Sequence, residues 1–168
     1  MNFHPVLVHF PIALLSIYAL MEIVRLKRFT LNKAYQDIKA FLAIIGTASA
    51  WAASWTGDDA RAAFRGKALV EQVVHTHENY ADLTIAIFSL IAGAYLVIFL
   101  SRWLGKVRYW NILEKIAAFI LRPSIVITLA IVGIILLTIT GALGGLMVYG
   151  VNSDPVVAFV AHLFFPNL

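Results

Sequence analysis

The chain has 168 residues, of which 61% are apolar and 13% charged, and its mean hydropathy is +0.86. Soluble domains are typically about 45–50% apolar and about 25% charged, and a chain this short cannot hide the excess apolar surface inside itself. This composition excludes a lone water-soluble domain and a disordered chain, and the lack of cysteine excludes a disulfide-stapled secreted module. The net charge of +4 does not indicate nucleic-acid binding, because the basic residues cluster between apolar runs.

Four apolar runs are long enough to cross a bilayer, and they cover about residues 6–24, 38–56, 80–103 and 124–148. A membrane helix needs about 20 apolar residues, and helices satisfy their backbone hydrogen bonds without water. None of the runs has the alternating pattern of a barrel strand. We therefore expect one all-α domain over residues 1–168, an up-and-down bundle of four transmembrane helices. No internal repeat is apparent in the sequence.

The distribution of lysine and arginine predicts the orientation in a bacterial inner (cytoplasmic) membrane. Ten of the 13 basic residues lie between runs one and two or between runs three and four. Basic connections stay in the cytoplasm, so both termini are expected outside. The ten are Arg25, Lys27, Arg28, Lys33, Lys39, Arg102, Lys106, Arg108, Lys115 and Arg122, and the other three are Arg61, Arg65 and Lys67.

Two shorter segments accompany the spans. Residues 111–119 form an amphipathic stretch on the cytoplasmic side, and Pro123 is expected to separate it from the fourth span. The tail, residues 154–168, is apolar but too short to cross the membrane. We expect it to lie along the outer interface or to dock on a neighbour.

All five histidines are predicted on the outer side. His4 and His9 begin the first run, His75 and His77 precede the third, and His162 belongs to the tail. His9 lies inside an apolar run, where an ionisable side chain is costly without a partner and therefore suggests a functional role. A hydrogen bond from His9 to a neighbouring helix is the simpler structural alternative.

Runs one and three lie on a diagonal of an up-and-down bundle, so histidines that reach inward from both leave room for a planar cofactor. Histidine is the usual haem ligand, and bundle cores hold such cofactors. Residues two apart on a helix point in different directions, so only one of His75 and His77 faces a shared centre. The sequence favours His9 and His77 as axial ligands of a haem b iron.

Other residues are compatible with this site. His4 and His75 form a second pair that would bind another centre, tune the first or hydrogen-bond at the interface. Arg61 and Arg65 lie in the outer loop, where guanidinium groups suit haem propionates or lipid headgroups. Small residues near the outer ends of the second and fourth spans permit close approach of a helix or a flat cofactor; they are Gly57, Gly141, Gly144 and Gly145. Glu22 can pair with Arg25 on the same helix face, Arg102 is another available partner at that level, and Glu22 is assigned no chemistry.

Three segments resemble an uncharacterised bacterial family of four-span membrane proteins, a domain of unknown function. They are HPVLVHFPIALL from His4, HENYADL from His77 and GGLMVYG from Gly144. The motif histidines of that family fall on His4, His9 and His77, whereas a His-Gly pair found in part of the family is replaced here by Val151 and Asn152. The resemblance implies a small membrane protein with a suspected haem or redox link and no established activity.

These observations predict a b-type haem protein that transfers electrons, and they favour an electron-transfer protein or a complex subunit over a stand-alone enzyme. Two imidazole ligands favour electron transfer over oxygen chemistry. The expected partners are the lipid bilayer together with quinol, an outer cytochrome or a larger respiratory or photosynthetic complex. Two alternatives stay open: a cofactor-free accessory or assembly subunit, and a copper or zinc site built from His4, His9, His75 and His77.

Overall fold

A computed structural model describes residues 4–25, 27–61, 68–104 and 110–166, and within these ranges the chain is helical without a strand. The helices in chain order are α1 His4–Leu7, α2 His9–Val24, α3 Lys27–Thr30, α4 Lys33–Arg61, α5 Ala68–Leu104, α6 Trp110–Ile120, α7 Pro123–Tyr149 and α8 Pro155–Phe164. Four segments have the length and hydropathy of membrane spans: His4–Val24, Lys33–Gly57, Val70–Ser101 and Pro123–Tyr149. The prediction of an all-α fold with four spans is confirmed.

The first span is a nearly continuous helix with one irregularity at Val8. The Val8 amide still bonds to the His4 carbonyl at 3.1 Å, and the Ile12 amide bonds to Val8 at 3.3 Å. Pro11 explains the irregularity, because proline lacks an amide hydrogen and its ring crowds the carbonyl four residues earlier. Residues on either side of Val8 therefore keep approximately helical spacing.

The four spans form a ring in which α2 packs against α4, α4 against α5, α5 against α7, and α7 against α2. Helices α2 and α5 are consequently on a diagonal, as an up-and-down bundle requires. They meet at the centre, where the rings of Tyr18 and Phe88 lie edge to face with their centroids 6.3 Å apart. Leu15 and Ile91 are also fully buried there.

Most of the apolar surface faces away from the bundle. Only 28–39% of the residues in the most apolar stretch of each span are buried within the chain. Large apolar side chains are exposed around the bundle, among them Phe10, Leu20, Phe41, Leu83 and Ile135. Lipid acyl chains are the medium in which such a surface is stable, because exposed apolar patches of this extent are unfavourable in water.

The two short helices α6 and α8 correspond to the two predicted segments outside the spans, residues 111–119 and 154–168. Helix α6 ends before Pro123 begins α7, which confirms the predicted boundary. Helix α8 folds back onto α7 of its own chain, burying Val157, Val160 and Ala161 against Leu143 and Leu146. The neighbour on which the tail docks is thus within the same chain.

An internal repeat relates the first helix pair to the second, although the sequence did not reveal it. One offset of 73 residues relates His4 to His77, Leu15 to Phe88 and Glu22 to Tyr95. On the partner helices an offset of 87 residues relates Gly46 to Gly133, Ala53 to Thr140 and Gly57 to Gly144. The corresponding contacts recur as well, because Gly46 faces Leu15 and Gly133 faces Phe88.

Candidate histidine site

His4 is held against α4 by its Nδ1 atom. The ring nitrogen lies 2.9 Å from the Ala53 carbonyl oxygen and 3.1 Å from the Thr56 hydroxyl. A carbonyl oxygen only accepts, so Nδ1–H is the donor and, in a neutral ring, the lone pair belongs to Nε2. Gly57 lies beside the ring, since a Cβ atom there would be in van der Waals contact with His4 Cε1 at 3.4 Å.

His77 is held against α7 in the same way. Its Nδ1 atom lies 3.0 Å from the carbonyl oxygen of Thr140, so this ring also donates from Nδ1. A Cβ atom at Gly144 would lie 3.5 Å from His77 Cε1. The Thr140 hydroxyl is 3.2 Å from that of Thr84, which ties α7 to α5 beside the ring.

His4 and His77 approach one another from diagonal helices and are half-buried. Their side chains interact electrostatically across the end of the bundle. We call these two residues the histidine pair, and the end of the bundle that carries them the histidine end. Each ring is held by a backbone carbonyl of the next span, in α4 or α7, and lies beside a glycine of that span. A hydrogen bond at one ring nitrogen fixes the tautomer and orientation of many metal-binding histidines.

The structure places the other two predicted histidines on the exterior. His9 is exposed, and its Nδ1 lies 2.6 Å from the carbonyl oxygen of Pro5 in the same helix. His75 is also exposed, and its Nδ1 accepts a hydrogen bond from the Asn79 amide at 3.1 Å. The residue that faces His77 in the interior is thus His4, in place of the expected His9.

The helical repeat explains this difference. At 3.6 residues per turn, His9 lies about 140° around the helix from His4. The buried residues Leu15 and Glu22 share the direction of His4, being close to three and five whole turns further along. Depth in the apolar run suggested His9, but the face of the helix decides which ring enters the bundle.

The predicted arginines are only partly described. Arg61 forms an exposed ion pair with Glu78, the residue after His77, with Nη1 and Oε2 separated by 3.2 Å. Arg65 lies outside the described residues. The ion pair joins the end of α4 to α5 beside the histidine pair, so Arg61 is near the predicted site but already has a carboxylate partner.

The expected cluster of four histidines does not form. Within the described ranges, no group of three or more histidine, cysteine, aspartate or glutamate side chains is arranged to hold a metal ion. Of the candidate glycines, Gly145 serves helix packing, since a Cβ atom there would lie 3.1 Å from Val157 of α8. Gly57 and Gly144 instead adjoin the histidine pair.

A second polar site lies at the end of the bundle opposite the histidine pair. The sequence did not lead us to predict it. Glu22 is 1% exposed and binds the Lys39 ammonium at 2.5 Å, in place of the expected partner Arg25. The missed signal was a carboxylate and an amine, each at the edge of an apolar run, where an ionisable side chain needs a partner. The sequence alone did not show that the two runs bring them together.

Comparison with known proteins identifies the family but not an activity. A family profile described as "Predicted membrane protein (DUF2231)" matches residues 1–154. The comparisons found no match among curated proteins and none among solved structures.

Proposed function

The chain belongs to this DUF2231 family of predicted membrane proteins, and we propose that it is a b-type haem protein that transfers electrons, with the iron bound by His4 and His77. The single observation that carries the proposal is the matched orientation of these two rings. Each donates from Nδ1 to a backbone carbonyl of the next span, at 2.9 Å and 3.0 Å. In both neutral rings the lone pair then belongs to Nε2, the nitrogen that would bind a metal.

The residues around the pair fit a haem by their chemistry. Two imidazoles from diagonal helices are a common axial ligand set, and bundle cores are frequent cofactor sites. Gly57 and Gly144 place no side chain of their own against the Cε1 edges of the two rings. By contrast, a compact zinc or copper site needs three or four close ligands.

The protein contributes the orientation of the two rings to this chemistry. When bound, the haem supplies one-electron exchange, and two histidine ligands favour electron transfer over oxygen activation. The Ala53 and Thr140 carbonyls hold the imidazoles in one tautomer, which also makes each Nε2 a better donor to iron. Thr84 and Thr140 steady the α5–α7 side through their hydroxyl contact.

The orientation predicted from basic residues completes the proposal. The histidine end carries the α4–α5 connection, whereas the opposite end carries the Lys- and Arg-rich connections. The charge rule places the basic end in the cytoplasm of a bacterial inner membrane. The haem would then lie near the outer surface, within reach of quinol or of an outer cytochrome.

An absorption spectrum of the purified full-length protein tests the proposal. The protein is expressed with ample haem, solubilised in mild detergent and measured before and after dithionite reduction. We expect reduced-state α and β bands and iron without stoichiometric zinc or copper by elemental analysis. A colourless protein after expression with ample haem would contradict the proposal and favour an accessory subunit without a cofactor, whereas zinc or copper in place of iron would favour a different metal site.

A further inference from the structure

A buried polar cluster occupies the basic end of the bundle, where the α2–α4 and α5–α6 connections lie. It consists of Tyr18 and Glu22 on α2, Lys39 on α4 and Tyr95 on α5, and we call it the Glu22 cluster. Glu22 is 18 residues from His4, or about 27 Å at 1.5 Å per residue. The cluster is therefore separate from the histidine pair, and the inference below does not depend on haem.

One carboxylate oxygen receives both donors of the cluster. Lys39 Nζ lies 2.5 Å from Glu22 Oε2, and the Tyr95 hydroxyl lies 3.5 Å from the same atom. Glu22 and Lys39 are 1% and 3% exposed. The short distance and the common oxygen make Glu22 Oε2 a natural acceptor for a proton from the lysine.

Tyr18 adds a second buried hydroxyl to the cluster. Its side chain is fully buried, and its ring packs edge to face on Tyr95 with centroids 6.2 Å apart. The Tyr18 hydroxyl interacts electrostatically with Glu22, and the Tyr95 hydroxyl is within its hydrogen-bonding reach. Buried hydroxyls are normally hydrogen-bonded, so the two tyrosines and the ion pair form one polar cluster.

Packing alone does not explain this arrangement. A buried ion pair is weak evidence for stability, since well-packed apolar residues often replace such a pair without loss. Ionisable groups inside membrane spans more often mark proton or ion pathways. Among the described side chains, the other ionisable groups around Glu22 include Tyr35, whose ring lies 5.7 Å from Lys39 Nζ, and Arg25, which interacts electrostatically with Tyr35 and Tyr95.

We propose that the Glu22 cluster is a proton-binding site that exchanges a proton with the basic side of the membrane. The Lys39 ammonium transfers a proton from Nζ to Glu22 Oε2, which turns the ion pair into a neutral amine and a neutral acid. Lysine then regains a proton from the aqueous side, so that the cluster gains one proton and one positive charge overall. The Tyr18 and Tyr95 hydroxyls stabilise the carboxyl group in both states.

Infrared spectroscopy of the full chain in liposomes tests this proposal. A protonated carboxylic acid has a carbonyl stretch that is absent from a carboxylate and moves to lower frequency in heavy water. We expect this band to appear as the pH is lowered and to be absent in Glu22→Gln. Asp37→Asn is the matched control, because Asp37 accepts from Lys33 at 2.6 Å in an exposed lysine–carboxylate pair at the same end. That variant should retain the band.

Two further variants keep the test decisive if Glu22→Gln does not fold. Tyr95→Phe removes only a hydroxyl and should shift the acid band to higher frequency, since one hydrogen bond is lost. Lys39→Met removes the counter-charge and should leave the band present at every pH tested, because an unpaired buried carboxylate is strongly unfavourable. A band that is absent from the wild type, or unaffected by all three substitutions, would overturn the proposal. None of these outcomes depends on haem binding.

Discussion

Two glycines set how closely neighbouring spans approach at the centre of the bundle. A Cβ atom at Gly46 would lie 2.6 Å from Leu15 Cδ2, and one at Gly133 would lie 2.8 Å from Phe88 Cζ. Leu15 and Phe88 are fully buried, so either side chain could make room for a Cβ atom only by moving within the packed interior. These repeated contacts fix α2 against α4 and α5 against α7, and thereby the positions of His4 and His77 further along the same helices.

Alanine at either glycine should therefore destabilise the bundle. We expect Gly46→Ala or Gly133→Ala to lower the free energy of unfolding by about 1–3 kcal/mol, the usual cost of overpacking a tight core. Reversible unfolding in mixed micelles measures the change. Gly93→Ala is the matched control, because no atom lies within 4 Å of a Cβ there. Equal stability of all three variants would contradict the proposed close packing.

The choice of His9 as the inward-facing histidine of the first span was wrong, for a reason that concerns single residues. The sequence correctly indicated His77 as an inward-facing residue but favoured His9 over His4 by depth in an apolar run. The better signal was Glu22, because an ionisable residue in such a run faces the interior. Counting back five whole turns from Glu22 gives His4, but the sequence does not reveal that Pro11 leaves this helical spacing nearly intact.

At the scale of elements, helix boundaries explain what was missed in α5. The apolar run began near residue 80, but the helix begins at Ala68, so His77 lies well inside it. The preceding polar stretch contains Glu71, Gln72 and Thr76 and does not have the composition of a span, although it continues the helix. Apolar runs predict the length in contact with lipid, whereas hydrogen bonding and capping decide where a helix begins.

Helix α8 depends on a local cap that the sequence could have indicated. The Asp154 side chain accepts hydrogen bonds from the Val156 and Val157 amides at 2.8 Å and 3.0 Å. Pro155 follows at the first helical position, where its missing amide hydrogen costs nothing. The sequence did not predict that the apolar face of α8 packs on α7. The same apolar side chains would also be stable against lipid at the membrane interface.

Removal of the cap should loosen α8 without unfolding the spans. We expect Asp154→Ala to destabilise this helix by about 0.5–2 kcal/mol, the usual cost of losing an N-cap side chain. Hydrogen exchange should accelerate at the amides of residues 156–164 and remain unchanged in α5 and α7. Asn152→Ala is the control, since it alters an exposed residue in the same connection. An unchanged exchange rate in the Asp154 variant would contradict the role of this cap.

At the scale of the molecule, composition predicted four spans because lipid surrounds most of each helix. The separation of the histidine end from the basic end follows from the up-and-down connections. The repeat that relates the two helix pairs was not recognised in the sequence. A few corresponding positions share an identity, as His4 and His77 do, but others share only a structural role, as Glu22 and Tyr95 do. Packing partners could therefore be compared only after the helices were placed together.

The orientation can be tested with single cysteines, since the chain contains none. We expect Asn152→Cys to react with a membrane-impermeant maleimide added to intact spheroplasts, because basic connections remain in the cytoplasm. Leu31→Cys, at a residue 96% exposed in the α3–α4 connection, should react only after permeabilisation. The reverse pattern would place the histidine pair on the cytoplasmic side.

The central claim is that His4 and His77 together bind haem. Haem content of four single variants, each compared with the wild type at equal protein concentration, tests it most directly. We predict that His4→Ala and His77→Ala lose most of the bound haem, whereas His9→Ala and His75→Ala retain it with unchanged reduced spectra. Loss of haem in His9→Ala with retention in His4→Ala would contradict the pairing, as would retention in all four variants.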